Sequence, residues 1–173
     1  MKKNILLVLS LFLAVHCFAQ DTKEEAKETT TSVYYLIRHA EKDRSDKSNK
    51  DPELTKQGHN RATYWADVFK EVPFDAIYST DYNRTKQTAK PTADSKELEI
   101  KSYHPSKIKI DKFLKETAGK TVLIVGHSNT TPAFVNRLIR KETYESIKDD
   151  NNGNLYIVTL SGDHKTVQLL TVN

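Results

Sequence analysis

The sequence predicts an α/β fold, a three-layer sandwich in which a mostly parallel sheet carries helices on both faces and ends in a C-terminal antiparallel hairpin. Three observations point there. The runs 33–38 (VYYLIR), 75–79 (DAIYS) and 120–125 (KTVLIV) are short and rich in apolar, β-favouring residues, as expected of strands covered on both faces. The segments between them place apolar residues at helical spacing, so strand and helix alternate. The chain then closes with two β runs, 155–160 and 166–171, joined by SGDHK with Gly162 at the turn.

Each element can be justified in chain order. Residues 33–38 form the first strand. Residues 54–71 read as a helix, with Ala62, Trp65, Ala66 and Phe69 on one face and Thr55 as N-cap. Residues 75–79 are a strand, and 81 to about 93 a helix that Pro91 should kink or shorten. A short strand over 98–103, a helix over 106–117 and a buried strand over 120–125 follow, then a helix over 129–140 and the hairpin. No internal repeat is present, and 173 residues with 37% hydrophobic content suit one core.

Upstream of this domain, placed at 33–173, the composition changes. Lys2 and Lys3 precede an apolar stretch from Ile5 to Val15 and then Cys17-Phe18-Ala19, the layout of a secretory signal peptide over 1–19. The run is short for a bilayer span, so the expectation is export, periplasmic or secreted, with no stable membrane insertion after cleavage. Lipidation of Cys17 is the alternative, disfavoured because His16 stands where a small residue is wanted. Residues 20–32 are polar, lack large apolar side chains and are expected to be a disordered arm. Cys17 is the only cysteine, so a cleaved chain has no disulfide, no thiolate metal ligand and no cysteine nucleophile. Loss of Lys2 and Lys3 takes the formal charge from +4 to +2, with the remaining lysines scattered, which gives no case for a nucleic-acid partner. The oligomeric state is not readable.

In open α/β sheets, ligands bind at the carboxyl ends of the strands. Arg38 and His39 fall at one such end, Ser79 and Thr80 at a second, Gly126 and His127 at a third, and Arg84 opens the helix after the second. Each histidine alone could be an ordinary loop residue, and Arg84 alone a surface residue paired with Asp81. Together they form a reactive group. Two guanidiniums match phosphate oxygens as planar forks. Neighbouring cations disfavour imidazolium, leaving His39 neutral and nucleophilic, while His127 could stabilise charge on the transferring group. His59, His104 and His164 show no ligand spacing and read as surface or structural residues. The polar loop 42–52 borders the site and is expected to shape substrate entry.

RHA at 38–40, LTKQG at 54–58, STDYNRTKQTA at 79–89 and VGHSNTTP at 125–132 resemble, in matching order, the histidine phosphatase superfamily, in its phosphoglycerate mutase-like branch. The resemblance implies a phosphoryl-accepting role for His39, with Arg38, Arg84 and His127 completing the catalytic set and Ser128 and Asn129 beside His127 in the phosphate site. It implies chemistry with no cofactor and no metal. Ala40 replaces the family's usual glycine. Ser128 stands where the acid phosphatase branch has an aspartate proton donor. Asp94, Glu97, Glu99, Asp111 and Glu116 match no donor motif, which leaves Glu41 as a possible donor or else an ordinary loop carboxylate paired with Lys42 or Arg44.

The function implied is an exported phosphatase acting on small-molecule phosphomonoesters through a phosphohistidine on His39. The alternatives are a catalytically weak phosphate- or phosphosugar-binding protein of the same fold and a protein-phosphohistidine phosphatase. A mutase is disfavoured by the short chain, which lacks insertions to cover a sugar phosphate.

Overall fold

The structure, a computed structural model, describes residues 29–172; the leader and residues 20–28 of the arm lie outside the described residues. Its elements in chain order are β1 (Thr31–Arg38), α1 (Lys56–Val68), β2 (Ala76–Thr80), α2 (Asn83–Ser95), β3 (Ile100–Tyr103), α3 (Ile110–Glu116), β4 (Thr121–Gly126), α4 (Thr130–Ile139), β5 (Asn154–Ser161) and β6 (His164–Thr171). They build a six-stranded sheet in the order β3-β2-β4-β1-β5-β6. The strands β3, β2, β4 and β1 run parallel, β5 pairs antiparallel with β1, and β6 returns beside β5 as a hairpin.

Alternation along β4 shows why both faces must be covered. Val122 and Ile124 pack with Phe113 of α3 and Phe134, Val135 and Leu138 of α4, whereas Leu123 and Val125 pack with Trp65 of α1 and Ala89 and Ala93 of α2. Successive side chains of a strand point to opposite faces, so an apolar run must meet two apolar layers. Phe69, at the C-terminal end of α1, meets Tyr35 of β1 edge-on with ring centroids 5.8 Å apart, which anchors α1 to the sheet.

Helix α1 starts as the sequence suggests, with the Thr55 hydroxyl accepting from the Gly58 amide at 3.0 Å. Gly58 is required there, because a Cβ would lie 2.2 Å from the Glu41 carbonyl oxygen. That close approach brings the loop after β1 onto the helix, where the Thr55 amide donates to the same carbonyl at 2.9 Å. Gly162, at φ +57°, turns the final hairpin between Ser161 and His164, a tighter turn than the five-residue link expected.

Three expectations need correction. The arm was expected to run through residue 32, yet Thr31 and Ser32 already pair with Ser161 and Leu160. Backbone pairing to β5 and a bond from the Gly119 amide to the Ser32 hydroxyl at 2.9 Å hold them without apolar burial. Pro91 does not shorten α2, which continues to Ser95; the helix buries Thr85, Thr88, Ala89, Thr92 and Ala93, and that packing outweighs one lost backbone bond. The third helix begins at Ile110, not at 106. Residues 104–108 form a turn instead, with the Lys107 and Ile108 amides both donating to the His104 carbonyl at 3.0 Å. Arg137 pins this turn, donating to the carbonyls of Pro105 at 3.1 Å and Ile108 at 2.6 Å. Among the described residues, no helix is long and apolar enough to cross a membrane.

Candidate active site

The parallel strands deliver their carboxyl ends to one rim, and a cavity of about 1000 Å³ opens there. Arg38, His39, Arg84, His127, Ser128 and Asn129 all line it, so the structure brings these sequence-derived residues together.

His39 follows β1 and is 4% exposed. Its amide donates to the Gly126 carbonyl at 2.9 Å, its carbonyl accepts from Asn152 Nδ2 at 2.8 Å, and the next amide, of Ala40, donates to Thr88 Oγ1 at 2.9 Å. Its Nδ1–H donates to the Ala40 carbonyl at 2.7 Å. A carbonyl oxygen can only accept, so this bond fixes the tautomer and leaves the lone pair on Nε2. Burial, then the charges of Arg38 and Arg84 and the neighbouring His127 ring, lower the His39 pKa from 6.5 to about 3, partly opposed by the Ala40 bond. The sequence expectation of a neutral imidazole rested on the neighbouring cations; burial is the larger cause.

His127 follows β4, its ring centroid 5.5 Å from that of His39. Its Nε2 meets Thr80 Oγ1 at 2.9 Å, and Nδ1 meets Arg84 Nη2 at 3.5 Å. The Thr80 hydroxyl donates onward to Thr85, so it accepts from Nε2–H, and Nδ1 is left as the acceptor facing the guanidinium. Burial, then Arg84, Arg38 and Lys42, bring the His127 pKa down to about 4.

The two arginines are held differently. Arg38, 2% exposed, sends Nη1 to the carbonyls of Lys148, Asp149 and Asn151 at 2.9–3.0 Å and Nη2 to Asp149 Oδ1 at 2.7 Å. Much of its fork is therefore spent on the segment after α4. Arg84, in the first turn of α2, lies over the Tyr82 ring at 4.4 Å and makes only long contacts, to Asp51 Oδ1 at 3.4 Å and to His127. The Nε of each arginine is buried with no partner among the described residues. Such orphan donors are costly unless something accepts from them, and an anion in the cavity would.

Glu41 is not brought to this cavity. Its Oε1 accepts from Arg61 Nε at 2.7 Å, and it lines a smaller recess of about 300 Å³ that His39 also borders. Conversely, His104, read as a surface or structural residue, lines the main cavity. Sequence reasoning also missed Asp149, which bridges Arg38 and Arg44 at 2.7 and 2.8 Å, and Asn152 and Thr88, while Thr80 and Lys42 were placed at the rim without a role. The run DDNNGN at 149–154 offered only a turn signal.

The sequence over residues 34–104, which carries Arg38, His39 and Arg84, matches the profile of the histidine phosphatase superfamily (branch 1). No curated protein matches the chain significantly. Among solved structures, a phosphoglycerate mutase from Bacillus anthracis superposes with a TM-score of 0.66 at 14% identity, over 83% of this chain and 94% of its own. A phosphoserine phosphatase from Entamoeba histolytica, a mutant bound to phosphoserine, gives 0.61 at 17% identity, over 79% and 95%. The protein histidine phosphatase SixA, complexed with tungstate, gives 0.63 at 15% identity, over 80% and 96%. At such identities these likenesses concern the fold. With the profile match over residues 34–104, they make this chain similar to the histidine phosphatase superfamily (branch 1) in the first half of the site and similar in fold to a phosphoglycerate mutase.

Proposed function

We propose that the protein is an exported phosphatase, freed of residues 1–19, that hydrolyses phosphomonoesters through a phosphohistidine on His39. The observation that carries this reading is the His39 ring. Its Nδ1–H is tied to the Ala40 carbonyl, leaving a lone pair on Nε2 in a cavity flanked by two guanidiniums and a second imidazole. A group that only bound phosphate would be better served by a donor at that position than by a lone pair.

In the reaction, Nε2 of His39 attacks phosphorus, the P–N bond forms and the P–O bond to the leaving group breaks. Arg84 and the unpartnered Nε–H of Arg38 donate to the equatorial oxygens, where charge spreads in the transition state. His127 accepts a proton as the dianion arrives and then donates from Nδ1, because an anion beside an imidazole raises its pKa. Water next attacks phosphorus, the P–N electron pair returns to His39 and inorganic phosphate departs. No step calls for a metal or cofactor. Neighbours named as a protein histidine phosphatase, a phosphoserine phosphatase and a phosphoglycerate mutase support phosphoryl transfer as a class.

The test is covalent labelling with a ³²P aryl phosphate in the presence of excess chelator. The chain should retain label after alkaline quench and lose it in acid, as a P–N bond to imidazole does. His39→Ala should abolish both label and turnover, whereas His127→Ala should lose about 10²–10³ in rate and still take label. Full activity in His39→Ala, or activity that dies with chelation and returns with zinc or magnesium, refutes the proposal.

A further inference from the structure

Expulsion of an alkoxide needs a proton on the far side of phosphorus from His39, and the residue expected to give it does not reach the cavity. Glu41 is locked to Arg61 beside the smaller recess. The acids that do line the cavity are engaged elsewhere. Asp81 is paired with Lys86 at 2.8 Å, and Asp149 bridges Arg38 and Arg44. Hydrogen bonds and charge from those cations lower both carboxyl pKa values. The Tyr103 hydroxyl is buried, which pushes its pKa up and keeps its proton bound.

The remaining wall of the cavity is the turn after β3, bearing His104, Pro105 and Ser106. His39 follows β1 and His104 follows β3, with the ends of β4 and β2, bearing His127 and Thr80, between them. At about 4.8 Å per strand the two backbones stand roughly 14 Å apart. In-line transfer sets an attack distance of about 3–3.5 Å on one side of phosphorus and a hydrogen bond of about 2.6–3.2 Å on the other, and two inward imidazoles can take up the rest. Ser106 Oγ meets His104 Nδ1 at 3.1 Å, and Nε2 has no partner among the described residues. The turn itself is rigidly placed, pinned from α4 by Arg137.

We propose, building on the phosphohistidine reading, that His104 is the general acid and base of the reaction. As the P–O bond breaks, its electron pair goes to the ester oxygen, which takes the Nε2 proton of His104. The neutral ring then accepts a proton from the water that attacks the phosphohistidine, so the cycle consumes one water and restores both histidines.

The experiment compares wild type with His104→Gln and His104→Ala on aryl phosphates graded from 4-nitrophenyl to phenyl. 4-Nitrophenolate leaves readily without protonation, so in kcat/KM, which reads the phosphoryl-transfer step, both variants should stay near wild type on that ester, while label accumulates on His39 because the water step has lost its base. On phenyl phosphate they should lose about 10²-fold, the usual contribution of one proton donor, and the alkaline limb of the wild-type pH–rate profile should disappear. Equal losses in kcat/KM on all esters would make His104 a structural or binding residue, and no loss in kcat/KM on phenyl phosphate would dismiss it. Asp81→Asn or Asp149→Asn showing the graded loss in its place would move the role there. If wild type turns over no aryl phosphate, or takes no label on His39, the phosphohistidine reading fails first and this assignment with it.

Discussion

The end of β1 and the start of α2 each contribute one arginine to the cavity, under opposite circumstances. Arg38 is wrapped by the segment after α4, with four bonds of 2.7–3.0 Å. Arg84 rests on an aromatic face and touches a carboxylate and an imidazole only at 3.4 and 3.5 Å. The same side chain therefore does two jobs. Arg38 is part of the fold that holds His39 in place and offers a ligand chiefly its charge and its Nε–H. Arg84 keeps most of its donors uncommitted, as a binding group should.

The largest separation between the two should appear in stability. Arg38→Ala removes the cation that satisfies three carbonyls and the Asp149 carboxylate, and should cost about 3–5 kcal/mol, seen as a fall in the urea midpoint together with loss of activity. Arg84→Ala should change stability by no more than about 1 kcal/mol, because its ion pair with half-exposed Asp51 is long. Its cost should fall on function, about 10²–10³ in kcat/KM, with weaker competition by inorganic phosphate. An Arg38→Ala protein as stable as wild type, or an Arg84→Ala protein that unfolds, would erase the distinction.

That distinction also marks the limit of what the sequence discloses. The strand ends, the Thr55 cap and the four residues Arg38, His39, Arg84 and His127 were legible because apolar runs and local spacing place them. What engages Arg38 was not. Lys148, Asp149 and Asn151 lie more than a hundred residues away in a polar stretch whose composition says only that the chain turns. His104 was set aside because it shows no ligand spacing with His59 or His164; a turn pinned by the distant Arg137 delays the next helix to Ile110 and places the residue on the cavity wall. Long-range hydrogen bonds to backbone carbonyls leave no periodicity to read.

The smallest expected effect, and the one that sharpens the comparison between buried and uncommitted groups, is the dependence of stability on pH. His39 and His127 have pKa values lowered to about 3 and about 4 in the fold, against 6.5 when unfolded. Between those limits the unfolded chain binds protons that the native chain refuses, so stability rises with pH across the window and is lost as pH falls from about 6.5 towards 4. Above about pH 7 both rings are neutral in either state and the slope from this source vanishes. His127→Asn keeps a polar planar ring substitute without a titrating nitrogen, so melting curves taken from pH 7 down to 4 should show a shallower decline than wild type. Saturating inorganic phosphate should act in the same direction, because an anion between Arg84 and Nδ1 favours the protonated His127 and lifts its native pKa towards the unfolded value. A wild-type decline no steeper than that of His127→Asn would mean that the second histidine is not held neutral by its burial and by Arg84.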